Sequence, residues 1–286
     1  MDLLIQLLIT GLINGSHYAL LGIGFGLIFG TTGIVHFAYG PLFAASAYLI
    51  WWLAAMAGVP FLAAAVIGAA LAALLGILSY LAVYRPLLRR RSPPFVVLVS
   101  SLGLFVIVSN LIGIVFGTDA KTVEVAYGIY FLGDSVITGV QVSQMVAVVA
   151  VALLLLAFLR FTRYGNAIRA MADNMQMARV IGVRTERVTM LVFGLGSAIS
   201  AIAAAHILVR DGALPGMGFL AVFYAFVCVV VGGVGSIWGA ALGGILVGMV
   251  ESAGMWKIPT EWQSTIAFVV LFAVILWRPT GLLKGA

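Results

Sequence analysis

The sequence contains very few charged residues and a single cysteine. Only 8% of its 286 residues are Asp, Glu, Lys or Arg, whereas 64% are hydrophobic. Because soluble domains carry about 25% charged residues, this composition excludes an ordinary soluble protein and indicates an all-α, polytopic integral membrane protein. The one cysteine, Cys228, lies in an apolar run, so no disulfide can form within the chain.

Motifs of nucleotide, metal and catalytic chemistry are also missing. The chain has no G-x-x-x-x-G-K-[ST] motif, so we expect it to bind no ATP and no other cofactor itself. His17, His36 and His206 are not spaced as metal ligands on one helical turn, and no Ser/His/acid set can be assembled. We therefore expect no catalytic or metal site and no enzyme. Membrane topology explains the net charge of +6 better than nucleic-acid binding does.

Long apolar runs predict eight or nine transmembrane helices in one domain covering residues 1–286. Gly33 and Pro41 interrupt one run and glycines interrupt 219–250, so some helices are expected to be broken or re-entrant. The first run lacks a cleavage site, which favours a retained span over a signal peptide. Each candidate reaches or approaches the ~20 residues needed to cross a bilayer. The candidates are 4–29, 35–57, 61–84, 95–117, 140–159, 188–209, 219–234, 236–250 and 263–278.

Basic residues are concentrated in three parts of the chain. Four lie in 85–94, six in 160–187 and two near the C-terminus, which together make twelve of the 15. The positive-inside rule therefore places these three parts in the cytoplasm and 118–139 outside. Nine spans would then put the N-terminus outside.

The external loop 118–139 contains apolar residues that alternate along the chain on both sides of Gly128. This alternation favours a short surface hairpin over an irregular loop, although both interpretations stay open. The alternating residues are Val123, Val125, Ile129 and Phe131.

Glycines recur at every fourth position near both ends of the chain. Such spacing produces a flat helix face that packs closely against a neighbouring helix in a membrane. The pattern indicates a compact bundle and names no function. The two series are Gly22, Gly26 and Gly30, and Gly235, Gly239 and Gly243.

The longest polar stretch, 163–188, has the periodicity of an amphipathic helix. Asn166 is a candidate N-cap and Gly182 a candidate stop, while Arg169, Asp173 and Gln176 occupy the polar face. Such a helix lies on lipid headgroups or docks in a groove of a soluble partner. The apolar stripe consists of Ile168, Met171, Met175, Ala178 and Ile181.

Polar side chains within the apolar runs are candidates for a solute path, since polar groups at membrane depth are costly. For Asn14 and His17, bonding to a neighbouring helix is the alternative, and Ser100 can instead bond to a carbonyl one turn back. His36 and Tyr39 lie beside the expected break. The candidates are Asn14, His17, His36, Tyr39, Ser100 and Asn110.

Four segments resemble the branched-chain amino acid permease family of ABC transporters, H-subunit type. The resemblance implies an ABC importer in a bacterial inner membrane, with a second permease (a paralogue or a second copy), two ATPase subunits that bind ATP, and an external solute-binding protein. It also implies a coupling helix in 160–187 that contacts the ATPase through Arg169, Met171, Asp173, Met175, Ala178 and Gly182. The segments are 14–49, 169–183 (RAMADNMQMARVIGV), 214–252 and 277–283 (WRPTGLL).

The sequence departs from this family at the expected break. Members usually have N-F-A-H-G where this chain has His36-Phe37-Ala38-Tyr39-Gly40. The solute therefore stays open among branched-chain amino acids, urea, amides, and aromatic or dicarboxylic acids. The alternative function is a secondary transporter or channel that works alone, with the polar helix lying on lipid.

Overall fold

The computed structural model describes residues 2–125, 127–132, 135–278 and 280–283. In this part of the chain the regular secondary structure is helical apart from one hairpin and one isolated β-bridge, as the composition predicts. A π-helical segment, Trp52–Met56, extends α2, and another, Tyr80–Tyr84, joins α3 to α4. The helices are α1 (Asp2–Thr32), α2 (Tyr39–Trp51), α3 (Phe61–Ser79), α4 (Arg85–Arg89), α5 (Pro94–Phe116), α6 (Gly139–Phe161), α7 (Arg163–Val180), α8 (Thr185–Arg210), α9 (Met217–Gly232), α10 (Ile237–Gly254) and α11 (Gln263–Trp277).

Seven of the described helical segments are long and apolar enough to cross a membrane, fewer than the eight or nine expected. The two other expected spans exist as α9 and α11, but these helices have only 16 and 15 residues. A 16-residue helix is about 24 Å long, less than the ~30 Å of a bilayer core. The protein is thus an all-α polytopic membrane protein with seven full-length spans and two shorter apolar helices.

The chain breaks between α1 and α2, where Gly33 and Pro41 predict an interruption. Gly33 has φ +69°, a conformation that residues with a Cβ avoid, and it ends α1 three residues later than expected. Pro41 is the third residue of α2, where its missing N–H breaks no intrahelical bond. Residues 33–38 therefore form a non-helical connection, and α2 begins at Tyr39 and not at residue 35.

The glycine series bring α1, α9 and α10 into close contact at the centre of the bundle. α1 and α10 run antiparallel: a Cβ added at Gly22 would lie 3.0 Å from the Ala240 carbonyl oxygen, and one at Gly30 would lie 3.1 Å from Gly235 Cα. Gly243 lies against the α9 backbone at Cys228. Both series therefore serve helix packing, as their spacing indicates.

Contacts between distant segments define the two ends of the bundle. Arg85 and Arg89 at the end of α3–α4 pair with Glu186 at the start of α8, both at 3.0 Å. We call this end, which includes α4, α7 and the start of α8, the basic end. At the opposite end, Lys121 pairs through its backbone with Ala213 in the α8–α9 connection. The basic segments thus lie at one end and part of 118–139 at the other.

The loop 118–139 contains the antiparallel hairpin that the alternation favours. β1 (Ile129–Leu132) pairs with β2 (Ser135–Thr138), with Ile129 opposite Thr138. The alternating Val123 and Val125 precede β1 and belong to neither strand. The strands are separated by Gly133-Asp134, whose structure lies outside the described residues, and not by Gly128.

Candidate functional site

The break between α1 and α2 contains the buried imidazole of His36. Its Nδ1 is 2.7 Å from the hydroxyl of Tyr84, and that hydroxyl donates to Ser101 Oγ at 2.9 Å. The backbone N–H of Phe37 also donates to Ser101 Oγ, at 2.6 Å. His36, predicted as a path residue, is therefore held by side chains from α5 and from the π-helical segment after α3.

This network determines the protonation of His36. The Tyr84 hydroxyl has one hydrogen, which it donates to Ser101, so its oxygen accepts from His36 Nδ1–H. His36 is fully buried and forms no salt bridge among the described residues, so the ring is neutral, and with its proton on Nδ1 the Nε2 atom carries a lone pair. Nε2 is buried and has no hydrogen-bond partner among the described residues. The break thus holds a buried hydrogen-bond acceptor without a donor.

Three aromatic rings form a cluster beside His36. The ring of Phe193, on α8, lies 5.0 Å from His36, 5.3 Å from Tyr84 and 5.4 Å from Tyr80. Both tyrosines belong to the π-helical segment, which turns their side chains inward, and π-helical turns are frequent at functional sites. Tyr80 also lines a cavity at the basic end, so this aromatic cluster connects the surroundings of His36 with the wall of that cavity.

The first turns of α2 and α9 pass one another next to the break. Gly40 and Gly218 are in backbone contact, and a Cβ at Gly218 would lie 2.5 Å from the Gly40 carbonyl oxygen. The Tyr39 hydroxyl donates to the Leu21 carbonyl at 3.0 Å, so this predicted path residue also ties α2 to α1. The N–H groups of Tyr39 and Gly40 donate to the carbonyls of His36 and Phe37, so the first turn of α2 is bonded to the break itself. The positive ends of helix dipoles favour anionic groups, and broken membrane helices in transporters use them in this way.

Two further path candidates lie toward the opposite end of α1. Asn14 is half-buried, and its Oδ1 accepts from Arg210 Nη1 at 3.4 Å. His17 is buried against Phe43 of α2, with ring centroids 6.1 Å apart, and its Nδ1 has no partner among the described residues. Both side chains thus lie on the interior face of α1.

The remaining candidates do not face the interior. Ser100 Oγ donates to the Val96 carbonyl and Asn110 Nδ2 to the Val106 carbonyl, each at 2.8 Å. Asn110 is on the outer face of the bundle. The neighbouring Ser101, and not Ser100, faces the interior of the bundle. It lies on the buried stripe of α5 with Val97 and Ile112, and no pattern in this almost wholly apolar helix marks that stripe.

The apolar stripe of α7 packs on the bundle itself, which corrects the prediction that it forms the docking surface. Ile168, Met171 and Ala178 are at most 2% exposed, and Met175 is half-buried against the core, because the stripe lies on other helices of the same chain. Ile181 lies outside the helix and is 68% exposed. Met171 and Ala178 therefore fix α7 in place, and a partner can reach only the opposite face.

The ends of α7 also differ from expectation. Thr162, and not Asn166, is the N-cap, since Thr162 Oγ1 accepts from Gly165 N at 2.9 Å. Asn174 has non-helical dihedrals and caps the second half of α7 by accepting from Met177 N at 2.9 Å. Gly182 ends the helix as predicted, with φ +90°.

A groove of about 550 Å³ at the basic end lies between α7, the last turns of α1 and the α9–α10 connection. Arg169 and Asp173 line it on one side, and the α9–α10 connection lines it on the other through Ser236 and Trp238. Arg169 Nη2 donates to Asn166 Oδ1 at 2.6 Å, which orients the side chain. The polar face predicted for this helix is therefore the accessible one.

A buried acid that has no basic partner among the described residues lies between α1, α9 and α10. Glu251, near the end of α10, is fully buried. The hydroxyls of Tyr18 and Tyr224 donate to its two oxygens at 2.7 Å each, and their rings stack 4.1 Å apart. These residues are distant in the sequence and only the fold brings them together, so no sequence pattern reveals the cluster.

Comparisons with known proteins agree with this architecture. The family model described as branched-chain amino acid transport system / permease component matches residues 7–275. The high-affinity branched-chain amino acid transport system permease proteins BraD of Pseudomonas aeruginosa and LivH of Escherichia coli K12 are 32% and 31% identical to the chain. Each alignment covers 98% of this chain and 95% of the relative.

Among solved structures, the fold is similar to that described as PsaBC from Streptococcus pneumoniae in complex with Fab. The TM-score is 0.53 at 14% identity, over 98% of this chain and 93% of the other, so this similarity concerns the fold alone. The sequence matches extend over nearly the whole length and agree with the interrupted helical bundle described above. The chain belongs to the family of permease components of branched-chain amino acid transport systems.

Proposed function

We propose that this chain is the permease subunit of an ABC importer that moves a small polar solute, a branched-chain amino acid or a related amide or carboxylate, across a bacterial inner membrane. The observation that carries the proposal is the break between α1 and α2. It combines a buried, unpartnered acceptor at His36 Nε2 with two adjoining helix starts. The names of the relatives support the solute class.

The solute would cross the bundle beside the interior face of α1. An ammonium or amide N–H fits the lone pair of His36 Nε2, and the positive ends of the α2 and α9 helix dipoles, which begin beside the break, favour a carboxylate. The Phe193 ring and its two tyrosine neighbours then form the closure toward the basic end. Passage of a solute requires these rings to separate, as alternating access demands.

The basic end would be cytoplasmic, with the C-terminus on the same side, since basic residues accumulate on that side of membrane proteins. There, α7 is accessible to an ATPase through Arg169, Asp173 and the exposed Met177. Because its apolar stripe is fixed to the bundle, α7 cannot move as a separate arm. A movement of the ATPase against α7 would therefore be transmitted directly to the transmembrane helices on which α7 packs.

The proposed complex contains two ATPase subunits that bind ATP, an external solute-binding protein, and a second permease, either a paralogue or another copy of this chain. The test is reconstitution of the complex in liposomes with labelled leucine. We expect uptake only when ATP is supplied on the ATPase side and the binding protein on the other. Uptake by the permease alone, driven by an ion gradient, would show instead a secondary transporter working alone.

A further inference from the structure

Two adjoining depressions of different chemistry lie at the basic end. The first has a volume of about 360 Å³ and is basic; the second, about 430 Å³, is a mostly apolar groove. Both are bordered by Thr32, Ile34 and Leu88. The two therefore form one continuous surface, polar at one side and apolar at the other.

The basic cavity has an excess of positive charge. Arg85, Arg89, Arg91 and Arg179 line it together with one acid, Glu186. Glu186 pairs with Arg85 and Arg89, while Arg91 and Arg179 form no salt bridge within the described chain. The cavity thus keeps a net charge of about +3, which favours an anion.

The guanidinium groups also retain free hydrogen-bonding capacity. Arg85 Nε is buried and has no acceptor among the described residues. Arg179 Nε donates only to the Thr185 hydroxyl, at 3.3 Å. Guanidinium groups bind two phosphate oxygens at once, so a phosphate group would supply the hydrogen-bond acceptors that these arginines lack.

The apolar groove continues from the cavity to the perimeter of the bundle. It runs between the α1–α2 connection and the start of α5, where Val97 and Leu98 line it and Phe95 is 71% exposed. A free anion gains no binding energy from this apolar groove, whereas an acyl chain is buried in it. Basic pockets at the cytoplasmic ends of transmembrane helices bind anionic lipid headgroups.

We propose that this surface binds one anionic glycerophospholipid, with its phosphate among Arg85, Arg91 and Arg179 and an acyl chain along Val97 and Leu98. The phosphate would bridge α4 to α7. The lipid would therefore hold the proposed ATPase-contacting helix against the segment that carries Tyr80 and Tyr84.

The test uses the full chain, purified with whatever subunits accompany it, and native mass spectrometry of retained lipid. Phosphatidylglycerol and phosphatidylcholine with identical acyl chains are titrated separately. We expect selective retention of phosphatidylglycerol and a rise in melting temperature with that lipid alone. Equal retention of both lipids would overturn the proposal.

Two sets of variants test the headgroup cavity and the acyl-chain groove separately. Since each basic residue near an anionic lipid contributes about 1 kcal/mol, Arg91→Gln with Arg179→Gln is expected to weaken phosphatidylglycerol binding about 10–30-fold. Arg90→Gln, on an exposed arginine outside the cavity, is the matched control. Leu98→Trp, which fills the groove, also lowers retention, whereas Leu111→Trp on the outer face of α5 does not.

Competition identifies the source of the phosphate. Millimolar inorganic phosphate is expected to leave the bound lipid in place, because it gains nothing from the groove. Displacement by inorganic phosphate would show a free-anion site, and displacement by leucine would make the cavity part of the solute path. A double variant that behaves like Arg90→Gln would also contradict the lipid site.

Discussion

At the scale of single residues, the hydrogen bonds around His36 decide which side chains matter. Tyr84 is the central group, since it accepts from His36 and donates to Ser101. Ser101 in turn receives the backbone N–H of Phe37. The residues that hold the break thus come from three separate parts of the chain.

We expect Tyr84→Phe to destabilise the protein by about 1–3 kcal/mol, because it leaves the buried His36 Nδ1–H without an acceptor. The measurement is thermal unfolding in detergent. Tyr130→Phe, on the exposed surface of the hairpin, removes the same hydroxyl and is the control. Equal melting temperatures for the two variants would show that the network contributes nothing to stability.

A second residue-scale prediction concerns the solute. His36→Asn with Tyr39→His introduces the sequence N-F-A-H-G at the break, replacing a ring acceptor by an amide with both donor and acceptor atoms. We expect the relative uptake rates of amino acids, amides and carboxylates to change while assembly persists. If the whole panel keeps its relative rates, the two side chains serve packing only.

At the scale of elements, α7 shows how a correct helix assignment can lead to the wrong surface. Its periodicity correctly separates an apolar from a polar face. The apolar face is nevertheless buried in the permease, since Met171 is 2% exposed whereas Met177 is 58% exposed. An amphipathic pattern states that one face is covered and leaves open what covers it.

This difference gives a paired test of α7. Met171→Asp buries an unpaired charge and is expected to unfold the basic end or abolish expression. Met177→Asp leaves the fold intact and lowers ATPase affinity about tenfold or more, because burial of a Met side chain contributes about 1.5–3 kcal/mol.

The measurements are the melting temperature and co-purification of the ATPase. Arg163→Gln, at an exposed position in the first turn of α7, provides a surface control. The opposite result would be a well-folded Met171→Asp protein that loses the ATPase, together with a Met177→Asp protein that retains it. That result would show that the apolar stripe of α7 is the docking face.

At the scale of the whole molecule, the antiparallel packing of α1 and α10 joins the two ends of the sequence. The glycines allow backbone contact along both helices, and the Glu251 cluster joins residues 233 positions apart. The terminal parts of the chain therefore form the centre of the bundle, and α5 and α6 lie at its perimeter.

Topology is tested over the whole molecule with single cysteines. Cysteines at Arg90 and Arg184 are expected to react only from the cytoplasmic side and one at Thr122 only from outside, because basic segments stay in the cytoplasm. All three positions are exposed, and the native Cys228 is fully buried and provides an unreactive background. Labelling of Arg184→Cys from outside would show that the basic end faces outward, where α7 could not contact a cytoplasmic ATPase.

The sequence by itself determined the features that depend on neighbours along the chain. Run lengths located the spans, Gly33 and Gly182 marked helix ends because their backbone conformations exclude most residues with a Cβ, and glycine spacing predicted close packing. Only the tertiary structure chose Ser101 over Ser100, buried Met171 within the permease, and placed Glu251 between two tyrosines. These choices depend on which distant helices meet, and periodicity within one helix carries no information about its neighbour.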